Sequence, residues 1–295
     1  MLRTVGLRSL IKTASELAAT KVGTPPSDAQ GLFESFHQYL ASCNTATRAA
    51  LDSRDSALPA IVDNADVVAS LLEEFDVESS LDDVAYAVHG PDAMDNNEMA
   101  AVAKRVAKVL SKASEYGDEF ATSLKLHLPI VIVAASGKLV GGTVSNVPGV
   151  LWFNPRSEWV EQDYVEFLTH ELTHTHLFLE ERRHGFYRDV NALMRDENLA
   201  RSSLRRDRRP LDKVLHSLFV ALEVVKLREH FPLLNDQSSI HPDTGEIMAG
   251  MYDTVEDLLL LDLPALLYPR AEELARIAIA EVRAISAADL LKTGV

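Results

Sequence analysis

The 295-residue chain, 47% hydrophobic and 25% charged, has enough apolar material for one large domain or two intimate ones. Its net charge of −15 argues against nucleic acid and anionic membrane as general partners, because both demand positive potential. Cys43 is the single cysteine, so neither a disulfide within the chain nor a cysteine-ligated structural zinc site is available, and the composition suits a reducing cytoplasm. No run is long and apolar enough to predict a membrane span.

In chain order, residues 1–120 read as an N-terminal helical region. Its first segment sets Arg3, Arg8, Lys12 and Lys21 against Glu16 alone. Leu2, Val5, Leu7, Leu10, Ile11 and Leu17 predict that it docks as a helix on a core, with a transit peptide as the alternative. Further helices are predicted over Asp28–Ser42, Ala65–Phe75, Leu81–Val88 and Asn97–Tyr116, divided by turns at Pro25-Pro26, Pro59 and Gly90-Pro91. Near residue 124 the pattern turns β-rich: Leu124–Ala135 is one run and Val150–Phe153 another, with Gly141-Gly142 between them. A helix starts near Gln162, a charged irregular stretch covers Glu180–Arg209, and helices follow over Pro210–His230, Val255–Leu261 and Arg270–Ser286. The expectation is an α+β fold, mostly helical, with a zincin-like metal-motif helix beside a small β-sheet. Residues 121–295 would form the metal-binding catalytic region, joined with residues 1–120 in one composite fold.

The chemistry concentrates in His170-Glu171-Leu172-Thr173-His174. Histidines four apart on a helix share a face, about 5–6 Å between Cβ atoms, and can converge on one metal ion. Glu171, rotated about 100° from His170, reaches a metal-bound water rather than the metal. The flanks are apolar, and no lysine or arginine occurs from Trp159 to Glu181, which suits a half-buried helix. A surface helix with two chance histidines is the bland alternative.

Two histidines need a third protein ligand. The metzincin spacing is excluded, because Leu177 and Glu180 stand where its glycine and histidine belong. Glu197, beside Asp196, is at the separation a second-helix glutamate ligand requires, although Arg195, Arg201, Arg205 and Arg206 around it also fit a solvated face. His216 lies in a helix apolar almost all round, where a buried imidazole needs a partner. Metal ligation with Glu223 supporting the ring from behind satisfies both groups; a core histidine bonded to Glu223 does so too. His176 points about 200° away from His174 and cannot share its metal. His184 sits where it could line the mouth of the site.

Three blocks of the sequence resemble the HExxH proteins found beside genes for ribosomally made, modified peptides, some of which are 2-oxoglutarate-dependent peptide β-hydroxylases. They are Val147–Pro155, Thr169–Glu181 and Arg208-Arg209-Pro210-Leu211-Asp212-Lys213-Val214-Leu215-His216-Ser217, and together they cover roughly residues 124–230. The resemblance implies His170, His174 and His216 as ligands of Fe(II). It also implies Arg208 or Arg209 as the group that holds the carboxylate of 2-oxoglutarate. Residue chemistry agrees there: a guanidinium fork matches a carboxylate, and the helix start at Pro210 adds a favourable dipole. Three histidines depart from the two-histidine, one-carboxylate set usual for non-haem oxygenases.

The expected function is therefore metal-dependent modification of a peptide substrate by an Fe(II)/2-oxoglutarate β-hydroxylase. The alternative is a Zn2+ metallopeptidase with Glu171 as general base and Tyr187 as oxyanion donor. An inactive peptide-binding module is the third reading. The two enzyme readings place an extended peptide in a groove beside Val150–Phe153.

Overall fold

In the computed structural model, which describes residues 2–26, 28–52, 59–75, 96–134, 139–231 and 238–293, helices dominate and the sheet is small, the α+β class expected. The helix predicted over 81–88 and the turn at 89–91 lie outside the described residues. The chain divides into two compact units, Leu7–Leu179, and Met1–Gly6 with Glu180–Val295.

The first predicted helix is split at Gly6, whose φ of 89° no helix tolerates, into α1 (Leu2–Val5) and α2 (Leu7–Val22). In the Leu7–Leu179 unit, α2 packs on α3 (Ala29–Cys43), which Asp28 caps by accepting from Gly31 N at 2.7 Å. Two elements were not anticipated, α4 (Thr45–Asp52) and β1 (Ala60–Val62). Next come α5 (Ala65–Phe75), with the predicted bounds, α6 (Asn96–Ser111) and α7 (Asp118–His127). The last of these corrects the sequence reading, because the β-rich run from Leu124 begins as helix. Asp118 and Glu119 in the first turn of α7, with Lys125 in the last, suit its dipole, and only after Pro129 does the chain extend into β2 (Ile130–Val133).

With β3 (Gly141–Gly142) and β4 (Val150–Phe153) the sheet is complete, in the order β1-β2-β4-β3. β1, β2 and β4 run parallel, with Ile130 opposite Val150 and Val133 opposite Phe153, and β3 pairs antiparallel with Trp152 and Phe153. All four residues of β4 are buried. Within the expected groove, strand addition of a peptide at Trp152 and Phe153 is therefore closed, because β2 takes one edge there and β3 the other. The core under the sheet joins Leu17, Phe36, Leu40, Leu71, Ile132 and Trp152, and Trp152 Nε1 donates to Ala134 O at 2.9 Å. Each such large side chain contributes roughly 1.5–3 kcal/mol by burial.

From β4 the chain enters α8 (Glu161–His184), longer at its end than predicted, whose residues to Leu179 belong to this unit. The other unit holds α9 (Val190–Leu193), the two-stranded pair β5 (Ala200–Arg201) and β6 (Arg208–Arg209), α10 (Leu211–His230), α11 (Thr244–Leu258), α12 (Leu263–Leu266) and α13 (Pro269–Thr293). α10 is buried nearly all round, as its sequence implies. α11 starts eleven residues before the predicted helix, because Asp243 caps it and Gly250 packs its backbone onto Ser203 O, where a Cβ would stand at 2.0 Å. No helix among the described residues is long and apolar enough to cross a membrane.

Candidate metal centre

α8 begins where Asp163 accepts from Val160 N at 2.8 Å, and it ends at Gly185, whose φ of 65° lets its N–H return to Glu181 O at 2.8 Å. Glu161 and Asp163 in the first turn and Arg182, Arg183 and His184 in the last complement the helix dipole. Phe167 stacks on Phe153 of β4 at 4.6 Å between ring centroids, and Trp159 and Tyr164 wrap the same contact. The helix is thereby fixed against the sheet.

From Gln162 to Glu180 every residue of α8 is buried except His170 and His174. Polar side chains along it close on near neighbours: Gln162 Nε2 donates to Glu166 Oε1, Thr173 Oγ1 to Thr169 O and Thr175 Oγ1 to Glu171 O. Between Gln162 and Glu180 the helix reaches solvent only at the two motif histidines. Their Nε2 atoms lie 3.0 Å apart, with rings 4.7 Å apart and tilted by 58°. Two nitrogens that close can share a proton, and they can equally ligate one ion at metal–nitrogen distances of about 2.0–2.1 Å. The pair fits two positions of a metal.

Glu171 is buried, with Oε1 3.9 Å from His170 Nε2 and Oε2 accepting from Thr143 Oγ1 at 2.8 Å. Burial pushes its carboxyl up to about 7, against the pull of hydrogen bonds from the Thr143 hydroxyl and backbone N–H. A carboxyl held there accepts and releases a proton near neutral pH. Thr143 was not singled out from sequence; it stands 28 residues from Glu171, and no local pattern marks the contact.

His176 faces away from the pair, as the helical angle requires. Its Nε2 lies 2.9 Å from Ser123 Oγ and 3.3 Å from His127 Nδ1, and Ser123 Oγ lies 3.0 Å from that same Nδ1. All three residues are buried. Burial lowers His127 to about 4 and His176 well below the ordinary histidine value, so the triad is neutral and ties α7 to α8. The signal for His127 was the Ser123–His127 spacing of four, legible only once α7 is read as helix. His37 Nε2 lies 3.2 Å from Lys125 O and 3.3 Å from Leu126 O, which makes it a core histidine.

The remaining sequence candidates belong to the other unit. His216, on α10, is half-buried, and burial with nearby Lys213 lowers its imidazole to about 3, leaving it neutral at pH 7. Glu223, two turns on, is buried and accepts from Arg3 N at 2.9 Å and Thr4 N at 2.8 Å, capping α1. Arg208 is exposed and donates to Leu199 O at 2.6 Å, while Arg209 Nε stands 3.9 Å from Asp207. Glu197 is exposed in a short turn over Asp196–Asn198. The Tyr187 phenol is buried without a hydrogen-bond partner among the described residues and held well above the ordinary tyrosine value, first by burial and then by Asp212 and Glu181. Among the described residues no group of three or more His, Cys, Asp or Glu side chains is arranged to hold a metal ion.

Compared with known proteins, the chain matches no protein-family model and no curated protein.

Proposed function

We propose that this chain is a metal-dependent peptide-modifying enzyme, an Fe(II)/2-oxoglutarate β-hydroxylase. The observation that carries the metal reading is the pair His170 and His174, with Nε2 atoms 3.0 Å apart at the one opening in the buried span Gln162–Glu180 of α8. The choice of iron and 2-oxoglutarate rests on the Arg208–Ser217 segment and its resemblance to the peptide hydroxylases. When bound, such a centre supplies oxidation of an unactivated C–H bond.

The chain's own residues have distinct tasks in this reading. His170 and His174 hold the ion, and His216 is the sequence candidate for a further ligand. Glu171, dry and held by Thr143, keeps a proton acceptor beside the pair without ligating it. Arg208 or Arg209 supplies the fork for the far carboxylate of the cosubstrate.

A zinc peptidase is the second reading, favoured by one observation: Glu171 is buried next to the pair with its carboxyl near neutrality, as a general base for hydrolysis requires. Zinc would supply an activated water there. Metal analysis of anaerobically purified protein, with an assay for succinate formed from 2-oxoglutarate, separates the two. Iron and succinate are expected. Zinc alone, with no 2-oxoglutarate binding and with cleavage of casein, overturns the oxygenase.

A further inference from the structure

The end of α11 carries a feature that metal chemistry does not use. After Leu258 the chain turns tightly, with Leu259 N donating to Val255 O at 3.1 Å, Leu260 N to Asp257 O at 3.0 Å and Leu261 N to Leu258 O at 3.3 Å. The backbone of this turn is satisfied and its shape fixed. Yet it presents Leu260 to solvent at 84% exposure, and Leu259 at 50%. One exposed leucine is ordinary; two adjacent ones on a rigid turn at the lip of an apolar groove are not.

The groove lies between this turn, α12 and α13 and encloses about 750 Å³. Leu258, Leu263 and Ile279 form its floor, and Arg276 and Arg283 stand on its edge. Arg276 is exposed and pairs with Glu272 on its own helix, while Arg283 has no ion-pair partner among the described residues. The leucine turn itself is flanked by exposed acids, Glu256 before it, 3.5 Å from Arg201, and Asp262 after it, which caps α12 through one oxygen. An apolar knob with acidic flanks thus sits beside an apolar hollow with a basic edge. That is the self-complementary arrangement a two-fold interface requires.

We propose that a second copy of this chain docks here, each copy seating its Leu259–Leu260 turn in the α12–α13 groove of the other. Ordering costs little, because the turn is already shaped. In such a dimer the acids flanking each turn meet the arginines at the edge of the opposite groove.

Sedimentation velocity of the purified full chain across the micromolar range tests this. The wild type is expected to pass from one-copy to two-copy mass. Leu260→Asp and Arg283→Glu should each weaken that association at least about tenfold while leaving the thermal melt unchanged, since both side chains are exposed. A wild type that stays monomeric at every concentration, including one that takes up a different protein, overturns the proposal. So do variants that dimerise as tightly as the parent.

Discussion

Thr143 Oγ1 donates to Glu171 Oε2 at 2.8 Å, joining the segment that follows β3 to the middle of α8. Replacing Thr143 with valine keeps the volume and deletes the donor, so the Glu171 carboxylate loses the hydroxyl that orients it. Turnover should fall about 10- to 100-fold, as is usual when a group supporting a metal site is removed, while metal content stays at the wild-type level. Succinate formation and metal analysis on one preparation check both halves. Unchanged turnover would remove Glu171 from the chemistry.

The ligand set can be read from metal retention. His170→Ala and His174→Ala should each purify without metal. His216→Ala is expected to lose it as fully, and Glu197→Ala to keep it. The reverse result for the last two would reassign the further ligand to Glu197.

Gly141 controls how closely β3 approaches its neighbours. A Cβ there would stand 2.3 Å from Trp152 O and 2.8 Å from Phe167 Cζ, at a φ of 131° that other residues avoid. Gly141→Ala should therefore cost at least about 1–3 kcal/mol in a denaturant titration. Because the same segment carries Thr143, activity should fall further than stability alone explains.

Arg201 grips Asp257 through Nε at 3.0 Å, Nη2 at 2.8 Å and its backbone N–H at 2.8 Å. These bonds, outweighing a smaller opposing effect of burial, hold Asp257 below the usual carboxylate range. A depressed carboxyl stabilises the fold fully above its unfolded pKa of about 3.9, and that contribution fades as pH falls through the lower folded value. Asp257→Asn should then cost about 1–2 kcal/mol at neutral pH. Denaturant midpoints of parent and variant should converge only in acid, once the pH has fallen through the depressed folded value. A gap that is constant with pH would show the loss to be steric.

Sequence pattern revealed those parts of the molecule whose causes are local. α5 follows from apolar spacing, α10 from apolar spacing with Pro210 at its start, and the His170–His174 face from helical geometry alone. α7 was misread because Leu124, Leu126, Leu128 and Ile130 alternate like a strand, while the Ser123–His127–His176 triad that holds it as a helix is tertiary. The extra turns of α11 were hidden by Gly245 and Gly250, residues that signal loops until Ser203 is seen packed against one of them. Thr143 had no signal at all, because its partner is distant in sequence.

The bonds from Arg3 and Thr4 to Glu223 have a consequence for how the protein is made. Arg3 and Thr4 receive their buried acceptor only after some two hundred more residues have been synthesised. Until then α1 has no place to settle, and Glu223 emerges as a carboxylate awaiting its donors. Vectorial synthesis therefore postpones this closure until most of the intervening chain has emerged, whatever has folded in between.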